Sequence, residues 1–435
     1  MNLPSNLKYA CLVLTAVCCG CATTYNQKLS PVKSDIRNRQ YDKAVLAFSK
    51  TGIPENDKNS LLYHLETGLL YHLAGEYKLS NRFLENAEWI SDELYTKSIS
   101  QETASLVTSD NILPYRGEYF EYLFTNYYKL LNYIYLGNLE DALVEVRRIN
   151  HKLSLFKKDD AFMHYMTAIL YQYNMQDSDA FIEYMKAYKA YRNDYPDLYG
   201  TPYPRQLTKD IAVFAHESRF PRVSEFPPEV LSAFTPPAEY GTVVFILETG
   251  FIPAKQEVRM DASIPQDYKK KYKNELKDTY FLTVSVPHYL PETESIQSAA
   301  VEINGQIYSM DLVEDLGSLA RKSLEDKHDK IIAKAIARAV TKYITYRAVK
   351  GKGTKDDNSD NLRKILGATV NIFGAATEHA DTRSWLTLPN RIFFTRAYLD
   401  PGKYSFRMSM DHPVTSETET FDIKKGELKF IVLRQ

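Results

Sequence analysis

Few residues in this chain are spaced for chemistry. His216-Glu217 and His379-Ala380-Asp381 set imidazoles beside carboxylates. Imidazole and carboxylate can ligate metals or carry protons, but a metal site needs three or four convergent donors. Neither short pair makes such a set by itself. There is no His-Glu-x-x-His run, no Gly-x-Ser-x-Gly elbow and no phosphate loop. The expectation is a non-enzymatic protein with no metal centre and no cofactor. Two segments set their charges more particularly. Pro114-Tyr115-Arg116-Gly117-Glu118-Tyr119-Phe120-Glu121 leads to Asn132-Tyr133 and then to Glu145, Arg147 and Arg148. Glu145 and Arg148 are one helical turn apart and can pair. The second segment, Ala380 to Pro389, holds Asp381, Arg383 and Trp385. An Arg383–Asp381 pair would make a clamp that fixes domain orientation, with Trp385 anchoring the loop. The remaining reactive group is the thiol of Cys21, the last of four cysteines, all within the first 21 residues.

Cys21 follows Gly20 at the end of a short apolar run. Met1 to Lys8 is polar with one positive charge, and Tyr9 to Cys19 is apolar. That run is shorter than the roughly 20 residues a membrane-spanning helix needs, and it fits the core of a secretory signal. Val17-Cys18-Cys19-Gly20-Cys21 resembles a bacterial lipobox, with Cys18 where leucine is usual. Residues 1–20 are therefore expected to be a lipoprotein signal peptide and Cys21 the lipidated residue. The thiol would be consumed by the anchor, which leaves none for a disulfide or a cysteine metal site. Ala22, in place of aspartate, favours the periplasmic face of the outer membrane. The formal net charge of −1 is spread over mixed signs, and no basic tract suggests nucleic acid.

These groups must be held by larger elements. After a tether over 21–33, residues 34–195 carry apolar and aromatic residues at helical spacing. Gly68, Tyr71, Gly75, Tyr77, Ser80, Leu84 and Ala87 follow a pattern similar to the tetratricopeptide (TPR) repeat. Related sets recur at Tyr133, Gly137, Leu139 and Ala142, at Ala168, Tyr171, Ala180 and Tyr184, and in part at Tyr41, Ala44 and Phe48. The family period is about 34 residues. One longer step leaves room for an insertion around Asp92 to Arg116. Such arrays present a concave face from the first helix of each pair. Here that face would include Phe124, Tyr127, Tyr135, Phe162, Tyr165 and Tyr173. It is either an exposed partner groove or a surface filled by the chain's own second half. Glu66 and Glu85 read as solvated helix faces.

Prolines crowd residues 196–238, a connection with room for one helix at Gln206 to Glu217. From residue 239 the period becomes two. Thr242 to Leu247, Tyr280 to Val286, Ala299 to Ile303, Gln306 to Met310, Arg391 to Ala397, Lys403 to Met408, Glu419 to Ile423 and Leu428 to Leu433 read as strands. Asn304-Gly305 is a hairpin signal. The strand count predicts an antiparallel β-sandwich-like domain over 239–435, with a helical insertion at about 312–378. Within it Leu362 to Ala376 is rich in small residues, suited to close helix contact or to self-association. The predicted class is α+β: a TPR-like helical array, then the strand-rich domain.

With the lipobox, the repeats and the Ala380 to Pro389 motif, the chain resembles a family of bacterial TPR-containing lipoproteins to which no reaction is assigned. The resemblance covers most of the chain from Ser34 onward. It implies an envelope location and this two-part architecture. The functional expectation is a lipid-anchored periplasmic scaffold or adaptor that binds envelope proteins of unknown identity. A subunit of a homo-oligomeric outer-membrane export or channel assembly, and a peptidoglycan-active enzyme, are the alternatives. The oligomeric state is not readable from sequence.

Overall fold

The structure, a computed structural model, describes residues 24–100, 113–157, 159–277, 279–290, 296–350, 379–411 and 418–435. The leader with Cys21 and the segment Leu362 to Ala376 lie outside the described residues. The fold is α+β, with helices first and a strongly curled sheet second.

Four helix hairpins make up the first part. They are α1 (Tyr25–Arg37) with α2 (Tyr41–Ser49), α3 (Ser60–Leu73) with α4 (Tyr77–Ser100), α5 (Tyr119–Tyr135) with α6 (Leu139–Phe156), and α7 (Ala161–Tyr173) with α8 (Asp177–Asn193). All four turn the same way. A residue with left-handed φ ends each first helix: Arg39 at 55°, Gly75 at 78°, Gly137 at 70° and Met175 at 56°. The next N–H reaches back five residues, from Gln40 to Asp35, Glu76 to Tyr71, Asn138 to Tyr133 and Gln176 to Tyr171, each at 2.9 Å. This bond closes the helix end on its own carbonyls. The turns fall 36, 62 and 38 residues apart, the steps at which the sequence pattern recurs. Between α3 and α4 the approach is close: a Cβ on Gly68 would lie 2.5 Å from Leu84 Cδ2.

The expected tether over 21–33 is corrected. A capping box between Thr24 and Gln27 starts α1, and Leu29, Val32 and Ile36 bury one face of it. The connection holds α9 (Arg205–Glu217), flanked by short turns of helix at Tyr195–Tyr199 and Pro221–Glu225.

The strands are β1 (Gly241–Thr249), β2 (Lys255–Ser263), β3 (Phe281–Tyr289), β4 (Ala299–Ile303) and β5 (Gln306–Asp315). Helices α10 (Leu316–Glu325) and α11 (His328–Lys350) follow, then β6 (Arg391–Leu399), β7 (Gly402–Met410), β8 (Glu419–Ile423) and β9 (Leu428–Arg434). The insertion starts later than expected, because β5 runs on to Asp315 before α10 begins. Asn304 and Gly305, at φ 47° and 86°, make the tight β4–β5 turn.

The antiparallel sandwich is also corrected. Seven strands form one sheet in the order β8-β7-β4-β5-β6-β1-β9, and β1 and β9 run parallel. This sheet curls over its own core instead of facing a second sheet. Phe245 of β1 lies 5.2 Å from Phe406 of β7 and 6.0 Å from Phe421 of β8, between ring centroids. The opposite face of β1 and β6, with Val244, Ile246, Ile392 and Phe394, joins the core of the helical array. Both faces of β1 are therefore buried, which is why Thr242 to Leu247 is apolar without alternation. β2 and β3 pair separately and pack on α11.

Candidate functional site

The two segments singled out in the sequence meet at the seam between helices and sheet. Arg383 is buried and holds Asp381 through Nε at 2.8 Å and Nη2 at 2.7 Å. The same guanidinium reaches into the array. Nη1 donates to Asn59 Oδ1 at 3.0 Å, Nη2 donates to the Leu113 carbonyl at 2.9 Å, and Tyr115 lies beneath at 5.5 Å. Arg383 thus ties the loop before β6 to the entries of α3 and α5. Trp385, fully buried, packs 6.0 Å from Tyr128.

Two carboxylates of the array receive this loop. Glu121 accepts the Trp385 N–H at 2.8 Å and the Tyr115 hydroxyl at 2.7 Å. Glu66 accepts the Leu386 N–H at 2.9 Å and the Tyr25 hydroxyl at 3.0 Å, and its other oxygen takes the Thr387 hydroxyl. Glu66 was expected on a solvated face; it is fully buried, because these donors replace water. Glu85 does keep a half-exposed side chain. Nearby, Glu118 joins Lys255 at 3.1 Å and also Lys327. Burial would raise its carboxyl, but the two lysines hold it down at about 2.

Burial pushes Glu66 up to about 7 despite its three donors. A carboxyl raised above its unfolded value, about 4.3, stabilises the fold fully at low pH. That contribution is lost as pH rises through 7. Glu121, Glu248 and Asp210, also raised by burial, act in the same direction. Urea unfolding should therefore show stability falling from pH 5 to pH 8. Glu66→Gln should remove part of that fall, up to roughly 3 kcal/mol. An unchanged pH slope in the variant would exclude Glu66 as its source.

The aromatic face is not an open groove. Phe124, Tyr127, Phe162 and Tyr165 are fully buried against the sheet. Tyr127 and Tyr128 donate to Glu248 of β1 at 3.3 and 3.1 Å, and Tyr165 donates to Asp210 of α9 at 2.6 Å. The Tyr165 ring lies 4.9 Å from Phe394 of β6. Tyr135 is half-buried and accepts the Val432 N–H at 3.1 Å; Tyr173 alone is exposed. Partner access through this face is corrected: the second half of the chain fills it.

Glu145 and Arg148 belong to a separate buried charge cluster between α4, α5 and α6. Lys129, with no exposure, contacts Glu85 at 2.7 Å, Glu88 at 2.8 Å and Glu145 at 3.2 Å. Lys152 and Arg148 also hold Glu88, at 2.8 and 2.7 Å. Arg147 points away and is exposed.

Sequence reading missed Glu66, Glu248, Asp210 and Lys255. The available signal was a carboxylate inside an otherwise apolar run, as in Leu61 to Leu73 for Glu66. His216 is exposed, and His379 contacts Glu257 at 3.2 Å. Among the described residues no group of three or more His, Cys, Asp or Glu is placed to hold a metal ion, and no helix is long and apolar enough to cross a membrane. The seam carboxylates Glu66 and Glu121 are filled by donors from the chain itself, so this arrangement locks two halves together. Comparison with protein-family models, curated proteins and solved structures finds no match.

Proposed function

We propose that this protein is a lipid-anchored scaffold of the cell envelope, tethered through Cys21 at the periplasmic face of the outer membrane. It works by binding envelope proteins and not by catalysis. The helical half is read as a TPR-type array with one repeat per hairpin. The position of Cys21 carries the reading: Thr24, which caps α1, stands only three residues after it. Acyl chains on Cys21 would hold the body directly against the bilayer.

The inner face of the array is occupied, so partners must meet its outer helices. There α2, α4, α6 and α8 carry Leu46, Trp89, Leu155 and Ile182, exposed by 60, 68, 44 and 38 %. Tryptophan is one of the residue types enriched among binding anchors. Cells making the full chain should incorporate a palmitate analogue into the wild type and not into Cys21→Ser. A photo-crosslinking residue at position 89 should give discrete adducts only in the acylated form. Unlabelled wild type, or a Cys21→Ser protein that fractionates and crosslinks like it, would overturn the anchor. A labelled wild type without adducts would overturn the scaffold.

A further inference from the structure

Strands β2 and β3 pair outside the seven-stranded sheet and form a hairpin of their own. It runs nine residues, about 30 Å, from Lys255 at the seam to Ser263 opposite Phe281. One face packs on α11, where Leu282 and Val284 meet Ala335, Ile336 and Val340. The far end is closed by a short helix, Gln266–Lys271, and the loop that returns to Phe281. Leu276 of that loop joins the same core. The Ile264 N–H donates to the Tyr280 carbonyl at 3.2 Å, and Thr279 Oγ1 lies 2.8 Å from the Tyr343 hydroxyl of α11. The tip is therefore a built surface and not a loose turn.

This tip concentrates lysine and exposed aromatic surface. Residues 264–281 hold five lysines, no arginine and three acids, within a chain whose net charge is −1. Lys270, Lys271, Lys273 and Lys277 are exposed, and among the described residues none of them is in an ion pair. Beside them Tyr280 and Phe281 are 65 and 57 % exposed, two large rings in succession. Lys269 Nζ lies 4.9 Å from the centre of the Tyr280 ring, which sets the aromatic pair against the lysine run. Lys271 Nζ lies 5.3 Å from the Tyr272 ring. Lysine stems laid along aromatic rings cover apolar surface while their ammonium groups stay in water.

An acidic protein and an anionic bilayer are the two surfaces whose charge matches, and the residue types choose between them. Centres of protein–protein interfaces are depleted in lysine, and their cationic anchors are arginines. A bilayer interface takes flexible lysines that find headgroup phosphates, and aromatic rings that sit at the headgroup level. Each lysine near such a surface adds attraction without needing a fixed partner geometry. We propose that the tip of the β2–β3 hairpin seats on an anionic lipid bilayer, its lysines among the headgroups and the Tyr280 and Phe281 rings at the acyl boundary. The proposal rests on the envelope reading for the bilayer at hand, but not on acylation. With acyl chains on Cys21, the tip gives the body a second point of attachment, which fixes its orientation on the membrane.

The test is flotation of the full-length Cys21→Ser chain with two kinds of vesicle, phosphatidylcholine alone and phosphatidylcholine with an equal part of phosphatidylglycerol. No acyl anchor contributes in that chain, and binding by the leader is read from the neutral vesicles. The anionic vesicles should bind at least tenfold more tightly, and high salt should remove most of the difference, since exposed charges are screened. Lys270→Glu, Lys271→Glu and Lys273→Glu together should weaken binding tenfold or more, with the melting temperature unchanged because all three are exposed. The same charge change at Lys50, Lys403 and Lys424, exposed elsewhere on the body, should cost less than threefold. Phe281→Ser should weaken binding threefold or more. Equal binding to both vesicles overturns the proposal, as does a control triple variant as damaging as the tip variant. A Phe281→Ser chain that binds like its parent also overturns it, and makes the tip a site for an acidic macromolecule. Failure here leaves palmitate labelling of Cys21 untouched, and absence of that label leaves vesicle binding untouched.

Discussion

Arg383→Met is expected to lower unfolding free energy by about 3–5 kcal/mol, the range for breaking a buried ion pair by removing one partner. Methionine keeps much of the stem volume and removes every donor. Asp381 loses both of its guanidinium bonds, and the Leu113 carbonyl and Asn59 lose theirs. Arg383→Lys should recover little, because a point ammonium cannot span three acceptor groups with a planar fork. Fluorescence gives a local readout, since the chain has only two tryptophans. Trp89 is 68 % exposed and Trp385 fully buried, so a red shift on substitution reports release of the loop from the array. A variant that unfolds at the wild-type urea concentration, with unshifted emission, would show that Arg383 does not hold the seam.

Why this loop was partly legible in the sequence, and its receptors were not, follows from distance along the chain. Asp381, Arg383 and Trp385 announce themselves as an Arg–carboxylate pair next to a large aromatic. Glu66 lies 320 residues from the Leu386 N–H it accepts. No local pattern reveals that a carboxylate on an apolar helix has found donors that far away. The helix hairpins were readable because their determinants are local: small residues at the contacts and a left-handed turn after each first helix. Helix α1 was hidden by Pro31, which falls inside it and normally argues for a break. Strand β2, Lys-Gln-Glu-Val-Arg-Met-Asp-Ala-Ser, was missed because it is mostly polar and exposed: only Val258, Met260 and Ala262 alternate in it, and Val258 and Met260 stay exposed.

The sandwich prediction failed for a related reason. Strand positions depend on local alternation, whereas partner choice depends on what covers each face. The unbroken apolar run of β1 carried the correct clue, since a strand covered on both faces needs a second layer beyond its own sheet. That layer is the helical array. The tyrosines of its inner face bury their rings and direct their hydroxyls to Glu248 and Asp210. A tyrosine satisfied in this way reads in sequence like one poised for a partner.

Lys129→Met should be about as damaging as Arg383→Met, and its pH dependence should identify the cause. In the wild type three carboxylates, Glu85, Glu88 and Glu145, face three cations, Lys129, Lys152 and Arg148. Asn126 bridges Glu88 and Glu145 at 3.0 and 2.6 Å. Burial alone would raise Glu88, but Lys152 and Lys129 hold its carboxyl well below the usual range. Burial raises Glu145 even with Lys129 beside it. Without Lys129 one negative charge is left over, and Glu145, 2 % exposed, has the least water to support it. About 3–5 kcal/mol should be lost at pH 7. The deficit should narrow toward pH 5, where the uncompensated carboxyl takes up a proton. Adding Glu145→Gln to Lys129→Met should restore more than half of the loss, because the amide keeps volume and polarity without charge. Arg148→Ala removes a cation that is 39 % exposed, and solvent should hold its effect near 1 kcal/mol. If urea unfolding instead shows a deficit that is constant with pH and unrelieved by Glu145→Gln, lost packing and not unbalanced charge is what Lys129→Met exposes.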